Sequence, residues 1–177
     1  MTSSELPDAE TASAPTPSSG DAPFHGLRWG IKPSFLSYVS NTPDGRGYLN
    51  AGAGITDRNE LLFPLDERES PADTGADRVF TFGGDVCFTA HMGMLYVRIT
   101  APRIVLRGDS GELIAPDPAS GSDVRLVTFT LAEPVTEPSR LRWEATDVQL
   151  TPEGVPMFGD VYQAGEPFAP LTITAAN

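Results

Sequence analysis

The sequence predicts a mainly β fold, an antiparallel sandwich or barrel-like sheet with one short N-terminal helix carrying Tyr38. Three observations lead there. Seventeen glycines and 17 prolines punctuate the chain into short segments. One segment alone shows a helical apolar stripe. The connections between the remaining apolar runs are too short for crossover helices, which makes neighbouring strands antiparallel.

The helix is expected over Pro33 to Ser40. Pro33 suits a first helical position, where its missing N–H would be unpaired anyway. Phe35, Leu36 and Val39 form the stripe, and Tyr38, three residues after Phe35, borders it. Asn41, Pro43 and Gly45 stop it. A helix this short persists only when packed against something. Strands are expected at Arg78–Phe82, Val86–His91, Met94–Thr100, Arg103–Arg107, Val124–Leu131, Leu141–Leu150 and Leu171–Thr174. Gly83-Gly84 and Met92-Gly93 read as turns or bulges between them. Leu61–Leu65 reads as a short strand or an irregular edge.

At 177 residues the chain fits one domain, expected over residues 25–177. Residues 1–24 form an acidic, Ser- and Pro-rich arm. Met1 to Pro23 has no Lys, Arg or aromatic, too little apolar surface to offset its ordering entropy, so the arm is expected to be disordered. The formal net charge of −12 argues against nucleic acid and against anionic membranes as partners. It also opposes any anionic ligand, which would need local donors. No run of about 18 apolar residues is present, so no membrane span is expected.

Catalytic chemistry finds little support. The single cysteine, Cys87, excludes an internal disulfide and reads as a small core residue. Two histidines, His25 and His91, are too few for a three-ligand catalytic zinc site unless carboxylates supply the rest. Cys87 and His91 share a strand face, but four residues span about 13 Å, too far for a nucleophile–base pair. No phosphate-binding, dinucleotide or nucleophile-elbow motif occurs. From its residues alone Tyr38 is a helix residue at a core edge, His91 a structural residue at a strand end, and His25 the edge of the arm.

Four segments, in order, resemble the HtaA family of actinobacterial haem-uptake proteins. Leu27 to Val39 is similar to its opening W-G-x-K-x-S-F-x-x-Y pattern. Phe80 to Leu95, FTFGGDVCFTAHMGML, is similar to its central F-x-F-x-G-x-V-x-F-x-G-H-x-G-x-L segment. Ala101-Pro102-Arg103-Ile104 continues it, and Tyr162 to Leu171 resembles the closing Y-x-A-G segment. The resemblance spans roughly residues 26 to 172. The family's glycine before the histidine is Ala90 here.

The resemblance implies ferric haem b as ligand, with the Tyr38 phenolate on iron and His91 supporting it. A phenol in water titrates near 10, and bound ferric iron lowers that barrier to ionisation. A histidine N–H would tune the ligand further. Ser34, Phe35, Tyr38, His91 and Met92 are the expected haem contacts. Ser34 at the helix start is the candidate propionate donor, ahead of Lys32 and Arg28. Uptake, transfer or storage of haem is the implied function, with another haem-binding protein as donor or acceptor, and no turnover is expected. The alternative is an enzyme of cyclase or isomerase type that reuses the apolar pocket for a non-haem molecule. Met1 to Pro23 has neither a basic nor an apolar signal region. A complete chain is therefore expected in the cytoplasm, and a fragment of a longer one would be exported as the family is.

Overall fold

The computed structural model describes residues 24–66 and 76–176. The arm expected at residues 1–24 lies, except for Phe24, outside the described residues. The described elements run β1 (Gly26–Trp29), α1 (Pro33–Asn41), β2 (Arg46–Asn50), β3 (Gly54–Ile55), β4 (Leu61–Pro64), β5 (Arg78–Thr81) and β6 (Asp85–Ala90). After a single 3-10 turn at His91–Gly93 come β7 (Leu95–Thr100), β8 (Arg103–Arg107), β9 (Ser110–Pro116), β10 (Asp123–Leu131), β11 (Val135–Glu137) and β12 (Arg140–Leu150). A second 3-10 turn, Pro156–Phe158, precedes β13 (Leu171–Ala176).

All strand pairs are antiparallel. A large sheet follows the order β3-β4-β1-β13-β12-β10-β9-β8-β5, with β11 on β12, and β2-β6-β7 form a separate three-stranded sheet. The large sheet curls on itself. Leu65, just after β4, bridges Phe82, just after β5. Beside that bridge the Asp66 N–H donates to the Thr81 carbonyl at 2.8 Å and the Gly83 N–H to the Pro64 carbonyl at 2.7 Å. The sheet is barrel-like because its two outer regions are joined there.

Trp29, Phe63, Phe82 and Phe158 are sealed in the core between the layers. The helix buries Phe35 and Val39. Phe35 stands edge-on to Phe88 of β6 at 5.4 Å and to Phe158 at 5.9 Å between ring centroids. Burying such a side chain stabilises by roughly 1.5–3 kcal/mol, and this contact seats the helix. Beyond its end, Thr42-Pro43-Asp44-Gly45 makes a turn in which the Gly45 N–H donates to the Thr42 carbonyl at 2.9 Å. Proline second and glycine fourth suit a type I turn. Gly45 is required by close approach, since a Cβ would lie 1.8 Å from the Val39 carbonyl oxygen.

Several sequence expectations need correction. The strand expected to reach His91 ends at Ala90, and His91 begins the turn. Cys87 is not a core residue: Val86, Phe88 and Ala90 face inward while Cys87 sits half-buried on the outer face of the small sheet. His25 belongs to the folded part, where its carbonyl accepts the Leu65 N–H at 3.0 Å. Five described strands have no counterpart among the expected ones: β1, β2, β9 and the short β3 and β11. In β1, four residues gain strand geometry from pairing on both sides. Every residue of β2 is exposed, so it carries no buried alternation. In β9 a glycine replaces an inward side chain: the Phe129 ring covers Gly111, where an added Cβ would come within 2.1 Å of it.

Candidate functional site

The helix and the His91 turn meet at one corner. Tyr38 is 50% exposed on α1, at the border of the stripe that anchors Phe35. Its hydroxyl is hydrogen-bonded to His91 Nε2, with ring centroids 5.6 Å apart and planes at 51°. The bond can run in either direction. With Nε2 bare, the phenol O–H donates; with Nε2 protonated, the imidazole N–H donates to the phenol oxygen. The structure therefore brings together the two residues that stood 53 positions apart in sequence.

The turn that carries His91 has unusual backbone. His91 and Met92 have φ of 53° and 57°, and Gly93 follows at 88°. This left-handed region suits glycine and tolerates histidine, but disfavours methionine. Ala90 itself is extended, at φ −160°, and buried. Alanine at the family's glycine position is thus compatible with the bend, which starts one residue later. Met92 is 96% and Met94 89% exposed, so the turn presents two thioethers to solvent. Asp44 holds the turn from below. Its Oδ1 accepts the His91 N–H at 3.1 Å and its Oδ2 the Met92 N–H at 2.7 Å. The Met92 N–H and then the His91 N–H hold the Asp44 carboxyl below its usual range.

The other expected contacts fall in different places. Ser34 is exposed at the helix start. Phe35 points into the core rather than toward the corner. Lys32 is committed, with Nζ donating to the Pro167 carbonyl at 2.8 Å and lying 3.3 Å from Glu166. Arg28 projects outward from β1, between Leu62 and Thr172 in register.

Two residues of the corner were given no role from sequence. Asp44 lies among Asn41, Pro43 and Gly45, which the sequence shows only as a helix stop. Tyr162 lies in the closing Y-x-A-G segment and packs on Phe158 and Phe168, at 6.4 and 5.7 Å. Burial pushes its phenol up, the Ser34 hydroxyl opposes this, and Glu166 and Tyr38 push it further up. Among the described residues, no group of three or more His, Cys, Asp and Glu forms a metal cage. A groove of about 580 Å³ beyond Tyr96 contains neither Tyr38 nor His91, and its Arg98 is already bound by Asp85.

The fold and corner define a class: a small antiparallel β domain whose helix-borne tyrosine is bonded to a turn-borne histidine. The chain belongs to the HtaA family, whose model matches residues 25–174. Among solved structures, it is similar to the C-terminal domain of HtaA from Corynebacterium glutamicum, at 25% identity and a TM-score of 0.65, over 85% of this chain and 94% of that one. The N-terminal domain of the same HtaA shares the fold at 20% identity and a TM-score of 0.70, over 88% and 99%. Heme binding protein HtaB from the same organism does so at 20% identity and 0.61, over 84% and 90%. No curated protein sequence matches the chain. No helix among the described residues is long and apolar enough to cross a membrane.

Proposed function

We propose that the chain binds ferric haem b at the Tyr38–His91 corner, for haem uptake, transfer or storage. The observation that carries this reading is the hydrogen bond between an accessible Tyr38 hydroxyl and His91 Nε2. The donor set fits the group. A half-exposed phenol offers a hard oxygen to ferric iron, and tyrosine is an established type of haem ligand. A ligating phenol must lose its proton, and His91 is placed to take it or to donate back to the phenolate. Met92, on the turn that carries His91, supplies apolar surface for a porphyrin, and Ser34 with Tyr162 supplies hydroxyls for a propionate. Membership of the HtaA family supports a haem-related role, and an accessible site suits exchange with another haem-binding protein.

Hemin titration followed by visible absorption tests this. The native chain should give a Soret band with ferric high-spin charge-transfer features. Tyr38→Ala should abolish those features and greatly weaken binding. His91→Ala should keep the iron bound at about ten- to a hundredfold lower affinity. The opposite order, with His91→Ala abolishing binding and Tyr38→Ala silent, would place the ligand on the histidine. No Soret shift in the native chain would sink the haem reading.

A further inference from the structure

We infer that Asp44 is a positioning residue for the tyrosine–histidine pair, resting on the haem reading above. Successive backbone N–H groups in a turn can converge on one side, making a concavity that binds an anion. His91 and Met92 make such a concavity, and the Asp44 carboxylate fills it with one oxygen on each N–H. Met92 gains nothing from burial there, since its side chain is almost wholly in solvent. The turn's shape is therefore maintained by polar contacts, and Asp44 supplies two of them.

Asp44 is in turn tied to the helix that carries Tyr38. The Tyr38 carbonyl accepts both the Thr42 N–H at 3.1 Å and the Thr42 hydroxyl at 2.7 Å. Thr42 opens the turn that ends at Gly45, with Asp44 as its third residue. The circuit closes: Tyr38 hydroxyl to His91 ring, His91 N–H to Asp44, and Asp44 through Thr42 to the Tyr38 carbonyl. Asp44 thereby sets where His91 Nε2 stands relative to the phenol oxygen, and does so without touching the ligand.

Two readouts on the full chain test this. In the protein without hemin, amide exchange of His91 and Met92 should be about tenfold faster or more in Asp44→Ala, as loss of charge-assisted hydrogen bonds implies, while exchange in the core strands is unchanged. In the hemin-loaded protein, Asp44→Ala should speed hemin dissociation about tenfold, and Asp44→Asn, which keeps one acceptor oxygen, should recover part of that. Asp44→Ala in a His91→Ala background should add no further loss, because it acts through His91. Unchanged exchange at His91 and Met92, or a full additional loss in the double variant, overturns the assignment. Failure of the native chain to take up hemin sinks the haem reading instead, while amide exchange still decides whether Asp44 holds the turn.

Discussion

In the large sheet, Trp29, Phe63 and Phe82 are closed off from solvent. At the Tyr38–His91 corner the side chains are exposed and the backbone departs from the ordinary. Of the eight non-glycine residues with positive φ among the described residues, Ile31, His91, Met92 and Asp160 lie just before the helix, in the histidine turn and just before the Tyr162 segment; Ala51, Asn59, Ala101 and Asp147 lie elsewhere, but the histidine turn alone has two in succession. Backbone of this kind persists only where the surroundings over-determine it, and it gathers at functional sites. The sheet is maintained by burial, spread over many residues. The corner is maintained by a few directional hydrogen bonds. Damage to the sheet should therefore appear as lost stability, and damage to the corner as lost ligand chemistry with the fold intact.

The comparison breaks most visibly at Trp29. It is wholly buried and its indole N–H donates to the Ala169 carbonyl at 2.9 Å. Trp29→Ala should cost about 3–5 kcal/mol, from the cavity it leaves. Thermal or denaturant melting checks this. A loss under about 1 kcal/mol, the centre of ordinary single-residue effects, would mean that the core does not carry the fold.

A smaller effect is expected in the three-stranded sheet, whose β6 and β7 flank the histidine turn. On its outer face Asp85 binds Arg98 through both carboxylate oxygens, at 2.9 and 2.6 Å, and accepts the Thr100 hydroxyl at 3.0 Å. The Arg98 bonds, joined by Thr100, hold the Asp85 carboxyl below its ordinary value of 3.8. The sign follows from linkage: the contribution is fully present above that ordinary value and is lost as pH falls through the lower folded value. Arg98 is partly exposed, so the pair is worth about 1 kcal/mol or less. Asp85→Asn should lower the melting temperature slightly at neutral pH, and the gap should close as the solution is acidified below about pH 4. A gap that widened with acid would reverse the assignment.

How far the sequence revealed each region differs for the same physical reasons. The inward alternation of Val86, Phe88 and Ala90 is a local signal, and the strand over it was readable to within one residue. Pro33 and the Phe35–Val39 stripe marked the helix equally well. The strand at Ser110–Pro116 escaped because Gly111 leaves room for the Phe129 ring instead of contributing a side chain of its own. The strand at Arg46–Asn50 escaped because nothing on it is buried. At the corner, Tyr38 and His91 were singled out through their motifs, since neither residue's local pattern distinguishes it from a structural one. Asp44 was not legible at all. Its role depends on the dihedral angles of residues 47 and 48 positions away, which no local pattern encodes.

The central claim, that the Tyr38 oxygen is the iron ligand, is tested most directly by Tyr38→Phe. That change removes one oxygen and leaves the ring, at an exposed position where stability should move by less than about 0.5 kcal/mol. With melting unchanged, the hemin-loaded variant should lose the phenolate-to-iron charge-transfer absorption and bind far more weakly than the native chain. A variant that kept the native spectrum and affinity would contradict the claim.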